Sequence, residues 1–251
     1  MKKSTDRINE NKRKLIVVMA VVLMMVMCAC AGSGSSEAKE EPEEAQSLIA
    51  HYDPDYMVLV NFENPLPEDW LDRVILRTTI NSVGDNVFAE AGAYEAYLRM
   101  KDELEKEGIH TELDSAYRST AEQQKIVDDF TEKYGADYVK KYVAVPGYSE
   151  HHTGLALDLY LIVDGKTVYE NEDLVQYPEI WAKIHEKLPD YGFILRYPEG
   201  KEKITGASYE PWHIRYVGSP EIAREITDKG ITFEEYLAGT NTEDAEADEA
   251  A

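Results

Sequence analysis

The sequence predicts an α+β fold, on three observations. Helix-like and strand-like periods are mixed along it without the regular strand–helix alternation that builds a parallel sheet. The segment between an apolar leader and an acidic tail is about 190 residues long, ample for one hydrophobic core. That segment has no cysteine, since Cys28 and Cys30 both lie in the leader. No disulfide can hold it, and its stability must come from packing. The expected organisation is a leader over 1–29, a tether over 30–46, a domain over 47–239 and a tail over 240–251.

Lys2, Lys3, Lys12, Arg13 and Lys14 precede an unbroken apolar run from Leu15 to Met27. A membrane span needs about 20 apolar residues, so this run suits an export signal better. It ends in Met27-Cys28-Ala29-Cys30-Ala31-Gly32-Ser33, which resembles a bacterial lipoprotein signal. Small Ala29 precedes Cys30 whereas bulky Met27 precedes Cys28, so Cys30 is the expected lipidated residue. Met27 stands where such signals carry leucine, and an uncleaved anchor is the alternative. The expected location is the extracellular face of the bacterial cytoplasmic membrane. Gly32 to Gln46 would act as a solvated tether reaching about 50 Å when extended. Thr240 to Ala251 reads as a disordered acidic tail. The formal charge of −23 argues against nucleic acid or anionic lipid as a partner, and a monomer is expected.

Within the domain, Met57 to Asn61 reads as a short strand, closed by the turn-rich Asn64-Pro65-Leu66-Pro67. Ala93, Tyr97, Met100 and Leu104 recur at spacings of four, three and four, with Gly108 placed to stop a helix. Ser119-Thr120-Ala121-Glu122 reads as a capping box, opening a helix whose buried stripe would be Ile126, Val127 and Phe130. Leu155, Leu157, Leu159 and Leu161 alternate with Ala156, Asp158 and Tyr160, which predicts a strand with Asp158 turned away from the leucine face. Trp181, Ile184 and Leu188 mark a helix ended by Pro189 and Gly192. Ser219-Pro220 starts another in the favoured cap order.

The chemistry-bearing residues are Tyr148-Ser149-Glu150-His151-His152-Thr153-Gly154-Leu155-Ala156-Leu157-Asp158 and, downstream, Glu210-Pro211-Trp212-His213. Two imidazoles and one carboxylate can hold a zinc ion with a position left for water, and a spare carboxylate can take a proton. Regular strand alternation would turn Glu210 and His213 to opposite faces, so Pro211 must make a turn or bulge if both serve one site. His152 competes with His151 as ligand, because neighbours on a strand point oppositely and only one can reach the metal. His185 sits in a charged helical segment and is expected to be exposed; His51 and His110 are given no role. The bland alternative is a satisfied core histidine pair beside an exposed glutamate.

The pattern Ser-x-His-x-x-Gly-x-Ala-x-Asp, met by Ser149, His151, Gly154, Ala156 and Asp158, resembles that of the VanY-type D-alanyl-D-alanine carboxypeptidases. So does Glu-x-Trp-His, met by Glu210, Trp212 and His213. The likeness extends to Val60-Asn61, Asn64-Pro65-Leu66-Pro67 and Ser115-Ala116-Tyr117-Arg118-Ser119, nearly the whole domain. It implies a fold with a central antiparallel sheet flanked by helices, shared with sonic-hedgehog-like domains. It implies Zn2+ held by His151, Asp158 and His213, so that the spacing selects His151 over His152, and Glu210 as the catalytic base. By the same analogy Arg118, Gln123, Ser149 and Tyr197 line the substrate site, with Trp212 as a pocket wall. Arg118 offers a planar fork of donors for a terminal carboxylate, and Tyr197 a hydroxyl for the developing oxyanion. Gln123, without the likeness, would be taken as solvent-facing. The implied reaction is removal of the C-terminal D-alanine from peptidoglycan stem peptides. An L,D-carboxypeptidase or a D,D-dipeptidase on the same wall peptides is the near alternative. A non-catalytic zinc-containing wall-binding lipoprotein is the distant one, and a solute-binding lipoprotein fits poorly because such proteins usually close two lobes on a ligand.

Overall fold

A computed structural model describes residues 54–239. The leader, the tether, the tail and with them Cys30 and His51 lie outside these residues. Among the described residues no helix is long and apolar enough to cross a membrane.

Two antiparallel strands, β1 (Leu76–Ile80) and β2 (Asn86–Glu90), form a small hairpin sheet. The larger sheet runs β3 (His110–Ser115), β4 (Ala156–Val163), β7 (His213–Tyr216), β6 (Phe193–Leu195), with β5 (Lys166–Val168) paired to the far half of β4. All these pairings are antiparallel, in keeping with the expected α+β class. The expected strand at Leu155–Leu161 is β4, starting one residue later. Leu155 and the three leucines of β4 are buried, and so are Ala156 and Tyr160 on the opposite face. The strand is therefore covered on both sides. Asp158 alone among 155–161 stays half-buried.

The helix expected from the Ala93 period is α1 (Ala91–Lys106), which buries Ala93, Tyr97, Met100 and Leu104. Gly108 takes φ +77° just beyond its end, the left-handed conformation that terminates helices and favours glycine. The start of α1 is tied to the site. Glu90 caps it by accepting from the Ala93 N–H at 3.0 Å, while the Glu90 N–H donates to the Gly154 carbonyl at 2.9 Å. A Cβ at residue 154 would lie 2.9 Å from that same nitrogen, at φ +72°. Only glycine permits this approach.

Ser119 and Glu122 form the expected capping box of α2 (Thr120–Tyr134). The expected buried stripe is corrected: Ile126 and Val127 are half-buried, Phe130 is exposed, and the buried residue of α2 is Gln123. Phe130 instead contacts the rings of Tyr134 and of Tyr138 in α3 (Ala136–Tyr142) at 5.5 and 6.5 Å. Trp181 and Ile184 are buried in α4 (Pro178–Lys187), followed by a 3-10 turn to Gly192. Ser219 caps α5 (Pro220–Lys229) through the Ile222 N–H at 3.2 Å.

The expected strand at Met57–Asn61 does not form. Met57 and Leu59 pack on a core cluster of Ile194, Val217, Ala223, Ile226 and Phe233. The carbonyls of Tyr56 and Val58 accept from the Arg215 guanidinium at 2.9 and 2.8 Å. The apolar signal was real, but a side chain satisfies the backbone where a neighbouring strand was expected.

Candidate metal centre and substrate site

Asp158 of β4 and His213 of β7 are direct cross-strand partners. Opposed residues of an antiparallel pair project to the same face, so the ladder itself brings the two together. Asp158 Oδ1 lies 2.8 Å from His213 Nδ1. His151 arrives from the 3-10 turn Glu150–Thr153, and its Nε2 lies 3.1 Å from Asp158 Oδ2. One donor atom from each of the three residues falls within 4.8 Å of the others. The remaining ring nitrogens are occupied: His151 Nδ1 by the Ala116 carbonyl at 2.8 Å, His213 Nε2 by Glu150 Oε2 at 3.3 Å. Ligands whose far nitrogens are pinned in this way suit a zinc ion, as does a donor set of two imidazoles and a carboxylate.

The charges conform to that geometry. Burial alone would raise the Asp158 carboxyl, yet His151 and His213 hold it well below the usual carboxylate range. Burial would lower His213, but Asp158 and Glu150 push it up to about 10. In His151 burial prevails over Asp158, and its pKa falls below the ordinary value.

Glu210 reaches the same point through a turn. The His213 N–H donates to the Glu210 carbonyl at 3.2 Å, closing a β-turn whose second residue is Pro211, the position proline favours. The turn that the sequence demanded is present, and Glu210 Oε2 stands 3.9 Å from His213 Nδ1. Burial pushes the Glu210 carboxyl up to about 7, against the opposing pull of His213, with Asp158 adding to the rise. A carboxyl in that range can both take and release a proton near neutrality.

Arg118 is fixed relative to the histidine turn by its own backbone. Its N–H donates to the His151 carbonyl at 3.0 Å and its carbonyl accepts from His152 Nδ1 at 2.6 Å. Its guanidinium donates to Ser115 Oγ at 3.1 Å and to Gln123 Oε1 at 3.0 Å. Ser115 is the cross-strand partner of Asp158 on the other side of β4, so the guanidinium is anchored beside the candidate metal-binding cluster. Gln123 is buried, against its solvent-facing expectation, and its amide also donates to the Ala144 carbonyl at 2.7 Å. Its carbonyl oxygen thus holds the Arg118 guanidinium while its amide nitrogen is tied to Ala144. Ser149 and Trp212 are buried. Tyr197 is half-buried with its ring 4.7 Å from that of His213, tilted by 31°. Burial and Glu150 raise its phenol well above the ordinary value, so its hydroxyl keeps its proton.

The profile of the VanY family, described as D-alanyl-D-alanine carboxypeptidase, matches residues 87–219. The chain belongs to this family. A D-alanyl-D-alanine carboxypeptidase of Enterococcus faecalis is 36% identical over 217 residues, which cover 81% of this chain and 74% of that protein. The bifunctional D-Ala-D-Ala dipeptidase and carboxypeptidase VanXYC of Enterococcus gallinarum is 42% identical over 128 residues; this chain spans 64% of its length and the match covers 49% of this chain. Among solved structures, a mutant of the D,D-pentapeptidase VanY in complex with Zn(II) superposes with TM-score 0.59 at 34% identity, covering 72% of this chain and 98% of that one. VanYB in complex with D-alanine-D-alanine gives 0.59 at 33%, covering 73% and 97%. The LD-carboxypeptidase LdcB gives 0.62 at 30%, covering 82% and 93%.

In this VanY-family chain, sequence reasoning missed three contributors. Glu150 is buried, with its carboxylate held by Arg196 and Arg215 against His213. His152, weighed only as a rival ligand, instead ties the Arg118 carbonyl to the Gly147 N–H, which donates to its Nε2 at 3.0 Å. It lies on a 3-10 turn, not the strand assumed for the pair. His185, expected to be exposed, is half-buried against Trp181 and bonds the Pro211 carbonyl at 2.8 Å, supporting the turn that carries Glu210. His110 is exposed.

Proposed function

We propose that this protein is a zinc-dependent carboxypeptidase that removes the terminal D-alanine from peptidoglycan stem peptides. The observation that carries the reading is the convergence of His151, Asp158 and His213 with Glu210 at the end of the same turn as the last ligand. His151, Asp158 and His213 would hold the ion, which when bound supplies a Lewis acid for the scissile carbonyl and for a water. Glu210 takes the proton of the attacking water and delivers it to the departing amine. Arg118 grips the terminal carboxylate with guanidinium N–H groups, which places the last peptide bond over the ligands. Tyr197 contributes by packing on His213 and by keeping a protonated hydroxyl at the site's edge. Ser149 and Trp212 complete the wall.

The test is mass spectrometry of purified tri-, tetra- and pentapeptide stems after incubation with the protein, with and without a chelator. Release of one D-alanine from the pentapeptide, stopped by chelation, is expected. A second reading is favoured by the likeness to LdcB, whose name specifies an LD-carboxypeptidase: cleavage of the tetrapeptide stem. In that case the pentapeptide stays intact while the tetrapeptide loses its last residue. Protein loaded with zinc but inert on every stem would overturn both.

The lipoprotein-like leader supports export and attachment of the chain to the outer leaflet through Cys30. Cys30→Ala should move the protein from the membrane fraction to the medium; retention in the membrane would refute lipidation at that residue.

A further inference from the structure

Four charged side chains behind His213 take no part in the reaction just described. Arg196 and Arg215 are completely enclosed, and Glu150 nearly so. Both arginines donate to one oxygen of Glu150, Arg196 Nε at 2.9 Å and Arg215 Nη1 at 2.8 Å. The other oxygen, Oε2, is thereby turned onto Nε2 of His213 at 3.3 Å.

The arginines are themselves held from behind. The remaining nitrogens of Arg196 form a two-pronged bond to Glu234, 2.9 and 2.6 Å, and Glu234 also accepts from Asn61 Nδ2 at 3.3 Å. Glu234 lies in the helical stretch 233–239. The Phe233 ring lies 5.7 and 4.9 Å from the guanidinium carbons of Arg196 and Arg215. Arg215 Nη2 takes the carbonyls of Tyr56 and Val58. The first and last described segments therefore meet on the arginine pair.

Enclosing such an ion cluster brings little net stability compared with apolar packing, because the desolvation of each charge offsets the attraction. Its arrangement is better explained by what it does to His213. A carboxylate accepting from Nε2–H fixes the imidazole tautomer and ring plane, and directs the Nδ1 lone pair at the ion position. We infer that Glu150 is a positioning residue for His213, and that Glu234 in the C-terminal helix holds Glu150 in place through Arg196. This rests on His213 being a zinc ligand.

The experiment measures zinc affinity of the full chain by competition with a chromophoric chelator. Glu150→Gln should weaken binding about 10- to 100-fold, the range seen when the outer partner of a ligating histidine is lost. Glu234→Gln, one step further out, should weaken it about three- to tenfold. Glu235→Gln is the control: Glu235 sits on the same helix, pairs with Lys201 at 2.9 Å and accepts from the Thr232 N–H at 2.7 Å, and among the described residues it bonds neither Arg196 nor Glu150. It should leave the affinity within about twofold of wild type, roughly 0.4 kcal/mol. In zinc-loaded wild type the His213 Nε2–H should also give a nitrogen-15-detected resonance protected from exchange, lost in Glu150→Gln.

Folded Glu150→Gln with wild-type affinity overturns the proposal. Should that variant fail to fold, Glu234→Gln decides: unchanged affinity, or a loss matched by Glu235→Gln, overturns the relay. A wild-type chain that takes up no zinc brings down the metal reading itself, which separates that failure from this one.

Discussion

The strand pair β4–β7 and the helix α2 approach the same site, and they differ in how much holds them there. On the strand side, Leu157, Ile214 and Arg215 are fully enclosed, His151 and His213 are buried, and each imidazole has a partner for its far nitrogen. On the helix side, Gln123 is the buried residue of α2, and that side chain makes one bond to the site, from Arg118, and a second to the Ala144 carbonyl outside it. The difference matches the tolerances of the two tasks. Ligands must meet an ion at about 2.0–2.2 Å from fixed directions. A guanidinium gripping a carboxylate keeps most of its attraction through small shifts, because the force is largely between net charges.

The sharpest way to break the comparison is to remove the base while leaving the strand side intact. Glu210→Gln should lower kcat by about 10²–10⁴-fold, the usual worth of a general base, with zinc still bound at one equivalent. Loss of zinc from that variant would mean that Glu210 belongs to the ion's shell. Next in size is packing. Leu157→Ala should cost about 2–5 kcal/mol in urea unfolding, whereas Phe130→Ala on α2 should stay within about 0.5 kcal/mol. Equal costs would show that the two sides are equally held.

Acid should act on the strand side. Burial alone would raise the Glu150 carboxyl, but Arg196 and Arg215 hold it well below the usual range. A carboxyl depressed on folding stabilises fully above its unfolded value of about 4.3, and that contribution is lost as pH falls towards the folded value. For the metal-free chain the urea midpoint should fall as pH drops below about 4.3, and that acid decline should be shallower in Glu150→Gln. The same acid slope in both chains would show that protonating Glu150 costs no stability. The smallest effect is expected on the helix side. Gln123→Ala should raise KM about tenfold with kcat little changed, since one hydrogen bond to the charged Arg118 guanidinium is worth about 1.5 kcal/mol or more. A fall in kcat with KM constant would place Gln123 in the chemistry instead.

What was legible in the sequence was local or repeated. The period of α1, the caps at Ser119 and Ser219, and the alternation of β4 are short-range signals, and the structure follows them. The cluster of His151, Asp158 and His213 was legible because its residue types are rare together, and the need for a turn at Pro211 followed from alternation alone. Where the reading failed, the deciding partner lay far along the chain. Nothing near Met57 announces that Arg215 will take its neighbours' carbonyls, and nothing near Glu150 announces Arg196 or Arg215, 46 and 65 residues on. The apolar stripe assigned to α2 failed for a related reason. Periodicity marks a face, but the polar Gln123 is the residue that face buries.

The register Asp158↔His213 carries one more consequence. A ladder slipped by one residue would throw the two side chains to opposite faces, and a slip of two would part them by about 7 Å. An ion that needed both could bind only the correctly aligned sheet, and so would report on strand alignment during folding. Zinc supplied to a refolding mixture should draw molecules out of misaligned pairings by mass action, without touching any residue that the slip leaves unchanged.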